Sequence, residues 1–150
     1  MDVEQLLNAW RVNNVVTLEM LDAVSDEDLE LKPGKGKTIR SNIVHLIGVR
    51  RMWLEVQMPK EAKSVPKLDW KTANRKEMRD GLIVTSKLMA MLFEKMESSK
   101  KKGKWSTPLF FAYCIAHEAN HRSQIEIALR INGREPDEGF LYGLWEWPKK

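Results

Sequence analysis

The chain carries three histidines, His45, His117 and His121. The last two are four positions apart, and on a helix such residues share one face with roughly 5–6 Å between their β-carbons. Two imidazoles at that separation can bind one metal ion through their ring nitrogens. His45 falls on the core-facing edge of an earlier helical segment. It becomes a third ligand if the two segments are neighbours in a bundle, whose core is a common place for such sites. The three can equally be read as unrelated histidines, each hydrogen-bonded in the core. What raises the metal reading is the conjunction: all three fall at inward or core-edge positions, with none left over on the surface.

The surroundings of the pair can be placed by the helical step of about 100° per residue. Phe110, Tyr113, His117, His121, Gln124 and Ala128 then fall in a sector of roughly 80°. Ala119, Arg122, Glu126 and Arg130 fall on the polar face. Cys114 lies at the edge of the histidine sector, where it is either a fourth ligand, since thiolate suits zinc, or a small apolar core residue. Glu118 reads either as a carboxylate orienting a ligand histidine or as a solvated helix charge. Gln124, one turn beyond His121, could orient a ligand, and Tyr113, one turn before His117, could donate a hydrogen bond; both could also simply pack.

Three neutral imidazoles leave a doubly charged centre with open positions. Such a centre can lower the pKa of water to about 7 for hydrolysis, or hold a small thiol as thiolate. The donor set suits zinc, nickel, copper or iron. No Gly-rich phosphate loop, nucleophile elbow or paired-cysteine zinc motif occurs.

The elements that must position these residues read as helices, and no segment shows sustained strand alternation. The first runs from about Asp2 to Val24, with Val3, Leu6, Trp10, Asn14, Thr17 and Leu21 on one face. Asn14 and Thr17 interrupt that apolar stripe, either bordering a polar cavity or hydrogen-bonding within the core. The break Lys32-Pro33-Gly34-Lys35-Gly36 precedes a second helix from Ile39 to Gln57. Ile39, Ile43, Leu46 and Trp53 line one stripe of it, and Asn42, His45, Val49, Met52 and Val56 an adjacent one, so this helix is expected to be buried on more than one side. After a connection from Met58 to Asp69, a third helix is expected from Lys71 to Glu97, with Met78, Leu82, Thr85, Met89, Leu92 and Met96 facing inward. Thr107 as N-cap and Pro108 at the first position start a fourth helix, which ends at Asn132-Gly133. Four such helices predict an all-α four-helix bundle of antiparallel type, in which the long approach to the third helix allows a non-simple connection order. A short aromatic tail follows, with Phe140, Tyr142, Trp145 and Trp147, which should pack on its own bundle or on a partner subunit.

The chain has 150 residues, enough for one domain spanning 1–150. Its 43% hydrophobic and 31% charged residues are an ordinary soluble balance and exclude a disordered chain. The single cysteine excludes an internal disulfide framework. The longest uncharged apolar run, Trp105 to Ala116, is shorter than the roughly 20 residues a bilayer requires. MDVEQLL has neither a basic nor a long apolar stretch of a signal peptide, and a cytoplasmic protein is expected. The 25 basic and 21 acidic residues leave a net charge of +4, but the two signs are interleaved. The one basic run, Lys100, Lys101, Lys102 and Lys104, reads as a solvated loop, so nucleic acid is not the expected partner.

The string AHEANHRSQIEIALRINGREPD resembles the last-helix signature of the DinB-like superfamily of metal-dependent enzymes. In it a His-x-x-x-His pair is followed by a small residue, Gln and an apolar residue, then a Gly and Pro stop; here these are His117, His121, Ser123, Gln124, Ile125, Gly133 and Pro136. TIRSNIVHLIGVRRMWL resembles that family's second-helix motif, with His45 as its histidine and Trp53 as its aromatic, and LKPGKGKT resembles the turn leading into it. Trp10, Asn14 and Leu18 fit its first helix. The resemblance covers about residues 2–147 and is weakest over 59–107. It implies a bundle of the DinB-like type in which His45, His117 and His121 hold a divalent metal, zinc or nickel before others. It also implies a homodimer, and a small-molecule substrate, with the transfer or hydrolysis of low-molecular-weight thiol adducts as the activity. The alternative from another class is a non-catalytic bundle that binds a small molecule or a partner protein, with a structural metal or none.

Overall fold

A computed structural model describes residues 2–99 and 103–150. Four long helices make the body: α1 (Val3–Ala23), α2 (Ile39–Gln57), α3 (Arg75–Ser98) and α4 (Thr107–Ile131); a short α5 (Glu138–Gly143) follows. No strand occurs among the described residues. The long helices start on side-chain caps, which supply acceptors for N–H groups that have no partner inside the helix. Asp2 accepts from Glu4, Thr38 from Ser41, Asn74 from Glu77 and Ser106 from Leu109.

Two of these starts differ from the sequence expectation. Asn74 and Glu77 form a reciprocal capping box, so α3 begins at Arg75 rather than at Lys71. Ser106, not Thr107, caps α4, which moves Pro108 one place into the first turn, where its missing N–H is still harmless. At the other end, Gly133 adopts φ +68°. Its N–H bonds Arg130 at 3.2 Å and the next N–H, of Arg134, bonds Leu129 at 2.8 Å. This is a Schellman stop that a side chain at Gly133 would strain.

The connection order corrects the antiparallel expectation. Asn42 meets His121 whereas Arg50 meets Glu118, so α2 and α4 run in opposite directions. Trp10 meets Ser86 while Asp22 meets Arg79, which makes α1 and α3 opposed as well. But Arg50 meets Leu82 while Gln57 meets Lys95, and Asn13 meets Glu118 while Thr17 meets Arg122. Thus α2 runs parallel to α3, and α1 parallel to α4. The bundle is up, down, down, up. The 58–74 connection makes this possible: at up to about 3.3 Å per residue it can return along the roughly 28 Å of a 19-residue helix. A 3₁₀ turn at Glu61–Ser64 interrupts it, and Met58, Ala62 and Val65 bury their side chains as it passes.

The core contains Leu6, Trp10, Met20, Leu21, Ile39, Ile43, Leu54, Met78, Leu82, Met89, Phe93, Phe110, Ile125 and Leu129. The inner stripe expected of α3 is buried from Met78 to Leu92, and Met96 packs against it half-exposed. A β-carbon added at Gly81 would come within 2.9 Å of Ile47; glycine is what lets α2 and α3 approach there. The second expected stripe of α2 does not stay buried. Met52 and Val56 are 48% and 69% exposed, because the packed face of α2 passes through Ile47, Arg50 and Leu54 instead.

The aromatic tail divides. Phe140, Leu144 and Trp147 join the core or pack against it, whereas Tyr142 and Trp145 are exposed. Of the basic run, Lys100, Lys101 and Lys102 lie outside the described residues, and Lys104 is exposed. Among the described residues no helix is long and apolar enough to cross a membrane.

Candidate metal centre

His45 projects from α2, and His117 and His121 project from successive turns of α4. The antiparallel packing of these two helices brings all three together. Ring centroids lie 5.5 Å apart for His45 and His117, 4.6 Å for His45 and His121, and 4.7 Å for His117 and His121. One ring nitrogen of each lies within 4.8 Å of those of the other two. All three side chains are partly accessible.

Their protonation suits ligation, because an imidazole donates a lone pair only when neutral. Burial pushes the pKa of all three below 6.5, and the Lys37 ammonium and His117 push His45 the same way. His117 is lowered by burial, with the Glu118 carboxylate opposing. His121 is pushed down to about 4, by burial first and then by His45, His117 and Lys37. At neutral pH the group is therefore uncharged.

Asn42 fixes the third imidazole. Its amide nitrogen donates to the carbonyl of Thr38 at 3.0 Å, which turns its carbonyl oxygen toward His121 Nδ1 at 2.8 Å. An amide oxygen only accepts, so Nδ1 carries the hydrogen and Nε2 keeps the free lone pair. Ligand histidines are commonly oriented in this way. In the sequence Asn42 shares a stripe with His45 and carries no expected role. Its signal was an amide one turn before a candidate ligand.

The other candidates sort differently. Tyr113 stacks on His117 at 6.0 Å with an interplanar angle of 24°. It belongs to an aromatic cluster with Trp53, Trp105 and Phe110 that walls one side of the histidines. Gln124 is half-buried on the histidine side of α4. Neither side chain makes a hydrogen bond to another described residue, so both remain free to meet a ligand. Cys114 is buried in the core and falls outside the group of convergent ligand atoms. Its thiol is pushed up to about 12, mainly by burial and then by the Glu118 charge.

Glu118 is neither a solvated charge nor a partner of a histidine. It is 2% exposed and accepts from Arg50 Nε at 2.6 Å, Arg50 Nη2 at 2.9 Å and Asn13 at 2.7 Å. Arg50 also donates to Asn14 at 2.9 Å, the Leu82 carbonyl at 3.0 Å and Thr85 at 3.2 Å, with its guanidinium 4.9 Å from the Trp10 ring. Arg122, expected on the polar face, is 8% exposed; it donates to Thr17 at 2.8 Å and lies 3.8 Å from Glu118. The buried face of α4 is therefore centred about 75° around the helix from the histidine sector. Asn14 and Thr17 hydrogen-bond within the core, in a network reaching all four long helices.

Fold and site together define a class: a helical bundle with a three-histidine group that could hold a divalent metal. The chain belongs to the DinB family, which matches it over residues 1–147. No curated protein and no solved structure matches it.

Proposed function

We propose that this protein is a metal-dependent enzyme that transfers or hydrolyses low-molecular-weight thiol adducts at a divalent centre held by His45, His117 and His121. The observation that carries the reading is the convergence of three neutral imidazoles within 4.8 Å, one of them locked by Asn42 with Nε2 free. Zinc or nickel is the proposed metal, because an all-imidazole donor set suits both.

The metal, when bound, supplies Lewis acidity, which lowers the pKa of a thiol or water into the neutral range. The remaining work falls to the chain. Three neutral donors leave the full positive charge of the centre available to an anionic sulfur or oxygen. Asn42 holds the hydrogen of His121 on Nδ1 and so keeps the imidazole in its ligating tautomer. Tyr113 and the aromatic cluster behind it restrict water on one side, and the Tyr113 hydroxyl and the Gln124 amide offer a donor and a donor–acceptor for orienting a small-molecule substrate. The Arg50–Glu118 pair ties α2 to α4 within two turns of each histidine and so sets their spacing.

Metal analysis by mass spectrometry tests the reading on untagged protein purified without chelators or metal-affinity resin. About one equivalent of a divalent metal in the wild type, lost in His121→Ala, is the expected result. No metal after incubation with zinc or nickel would leave a non-catalytic binding bundle. The family resemblance adds a cytoplasmic homodimer to the proposal; sedimentation should then give twice the chain mass of 17.5 kDa.

A further inference from the structure

Beside the histidines a second concavity opens at the start of α2. It has a volume of about 570 Å³, and its lining includes Lys32, Lys37, Thr38, Ser41, His45 and Trp70. His45 is the one side chain shared by this cavity and the histidine group. The volume falls within the roughly 300–1,000 Å³ typical of small-molecule sites.

The charge of the cavity is one-sided. Its lining contains two lysines and no carboxylate. Neither ammonium forms an ion pair among the described residues. Two carboxylates of the preceding turn are engaged elsewhere: Glu30 with Arg40 at 2.8 Å, and Asp28 with Arg134 at 3.3 Å. Trp70, also in the lining, is 54% exposed. Uncompensated ammonium groups beside a half-exposed indole attract an organic anion with a short apolar body.

We infer that this cavity binds the carboxylate end of the small-molecule substrate, with Lys32 and Lys37 as its counter-ions and Trp70 against its carbon chain. The inference rests on the proposed function for what happens at the other end. A molecule seated here reaches the histidines past His45, so the reacting thiol would lie a few bonds from the carboxylate. The substrate class is thereby narrowed from any small thiol to a carboxylate-bearing one.

The test separates the cavity from the metal. In metal-free protein, succinate and its neutral diamide are titrated while the Lys37, Ser41 and Trp70 N–H signals are followed by NMR. Succinate should shift these signals and the diamide should not. In the variant carrying Lys32→Gln and Lys37→Gln, both at accessible positions, succinate should bind about tenfold more weakly, the scale of two partly screened ionic contacts. In zinc-loaded protein, 3-mercaptopropionate should bind about tenfold more tightly than 2-mercaptoethanol, and the double variant should lose that preference. Absence of the succinate shifts, or equal binding of succinate and inorganic sulfate, overturns the inference whatever the metal content. Succinate binding in a protein that takes up no metal upholds the cavity as an anion site and defeats the proposed chemistry alone.

Discussion

The helices α2 and α4 build two polar clusters within two turns of each other, and the two are opposites. In the first, the Glu118 and Arg50 side chains are each 3% exposed, and the carboxylate and the guanidinium each have several hydrogen-bond partners. Around His45, His117 and His121 the rings are partly open to solvent, and Asn42 makes the one hydrogen bond to a described residue. A buried ionic group tolerates its setting only when its partners are complete, so the first cluster is built to hold. The second keeps neutral lone pairs in a place where few protein donors reach them, which is the setting the proposed metal requires. The contrast separates two settings that side-chain type alone confuses, since the charged cluster has its partners within the fold and the uncharged cluster is the candidate site.

The sharpest way to break the comparison is to empty the first cluster. Glu118→Ala leaves the Arg50 and Arg122 guanidinium groups buried beside Asn13 without a carboxylate, and should cost about 3–5 kcal/mol. Urea unfolding of the metal-free protein should show it as a large drop in midpoint. His121→Ala, measured the same way, should cost less than about 1 kcal/mol, because its ring is partly exposed. If the two losses are equal, the division of roles fails.

Next in size is the orienting contact. Asn42→Leu removes the acceptor for His121 Nδ1, so the imidazole can rotate or change tautomer. Metal affinity should fall about 10–100-fold, read by competition with a chromogenic chelator. The loss from His121→Ala should exceed it, because a ligand is removed rather than loosened.

Acid should act on the open cluster too. His121 has a folded pKa of about 4 against 6.5 for an unperturbed histidine, so between these values the unfolded chain binds the proton and the native protein does not. Native stability should thus decline as pH falls from about 6.5 toward 4 and level off below. His121→Asn should flatten that decline, which urea midpoints at pH 7 and pH 4.5 would reveal. In metal-loaded protein the same protons compete for the nitrogens, and metal should leave over that interval.

Much of this was legible in the residues, for identifiable reasons. The His117–His121 pair follows from helical period, a local property. α2 was located from Ile39 to Gln57 because the Pro33–Gly36 break precedes it and Pro59 follows. The inward side of α4 is not legible because Arg122 carries charge and falls on the expected polar face, and Glu118 reads two ways until its partner is known. That partner, Arg50, sits beside Arg51 in the chain; Arg50 is buried in the core, while Arg51 lies partly buried and pairs with the half-exposed Glu55. No local pattern tells the two apart. The polar interruptions at Asn14 and Thr17 were the visible half of the network, whose other half lies on three other helices. The parallel packing of α2 on α3 was likewise hidden, because it depends on where the 58–74 connection runs.

The smallest expected effect concerns Cys114, and it decides whether the open cluster has three donors or four. Thiolate is a strong ligand for zinc, and Cys114 lies one turn before Glu118 on α4. Yet the same burial that completes the closed cluster keeps this sulfur protonated, and the adjacent Glu118 charge opposes its ionisation further. A thiol pushed up to about 12 offers a divalent metal little at neutral pH. Cys114→Ala should therefore leave metal stoichiometry and affinity unchanged. It should lower stability by only about 1 kcal/mol, the cost of removing one buried sulfur from the apolar cluster. Native protein should resist iodoacetamide at pH 8 and react once unfolded in urea. A metal affinity that falls in Cys114→Ala as far as in Asn42→Leu would move the sulfur into the centre and erase the boundary between the two clusters.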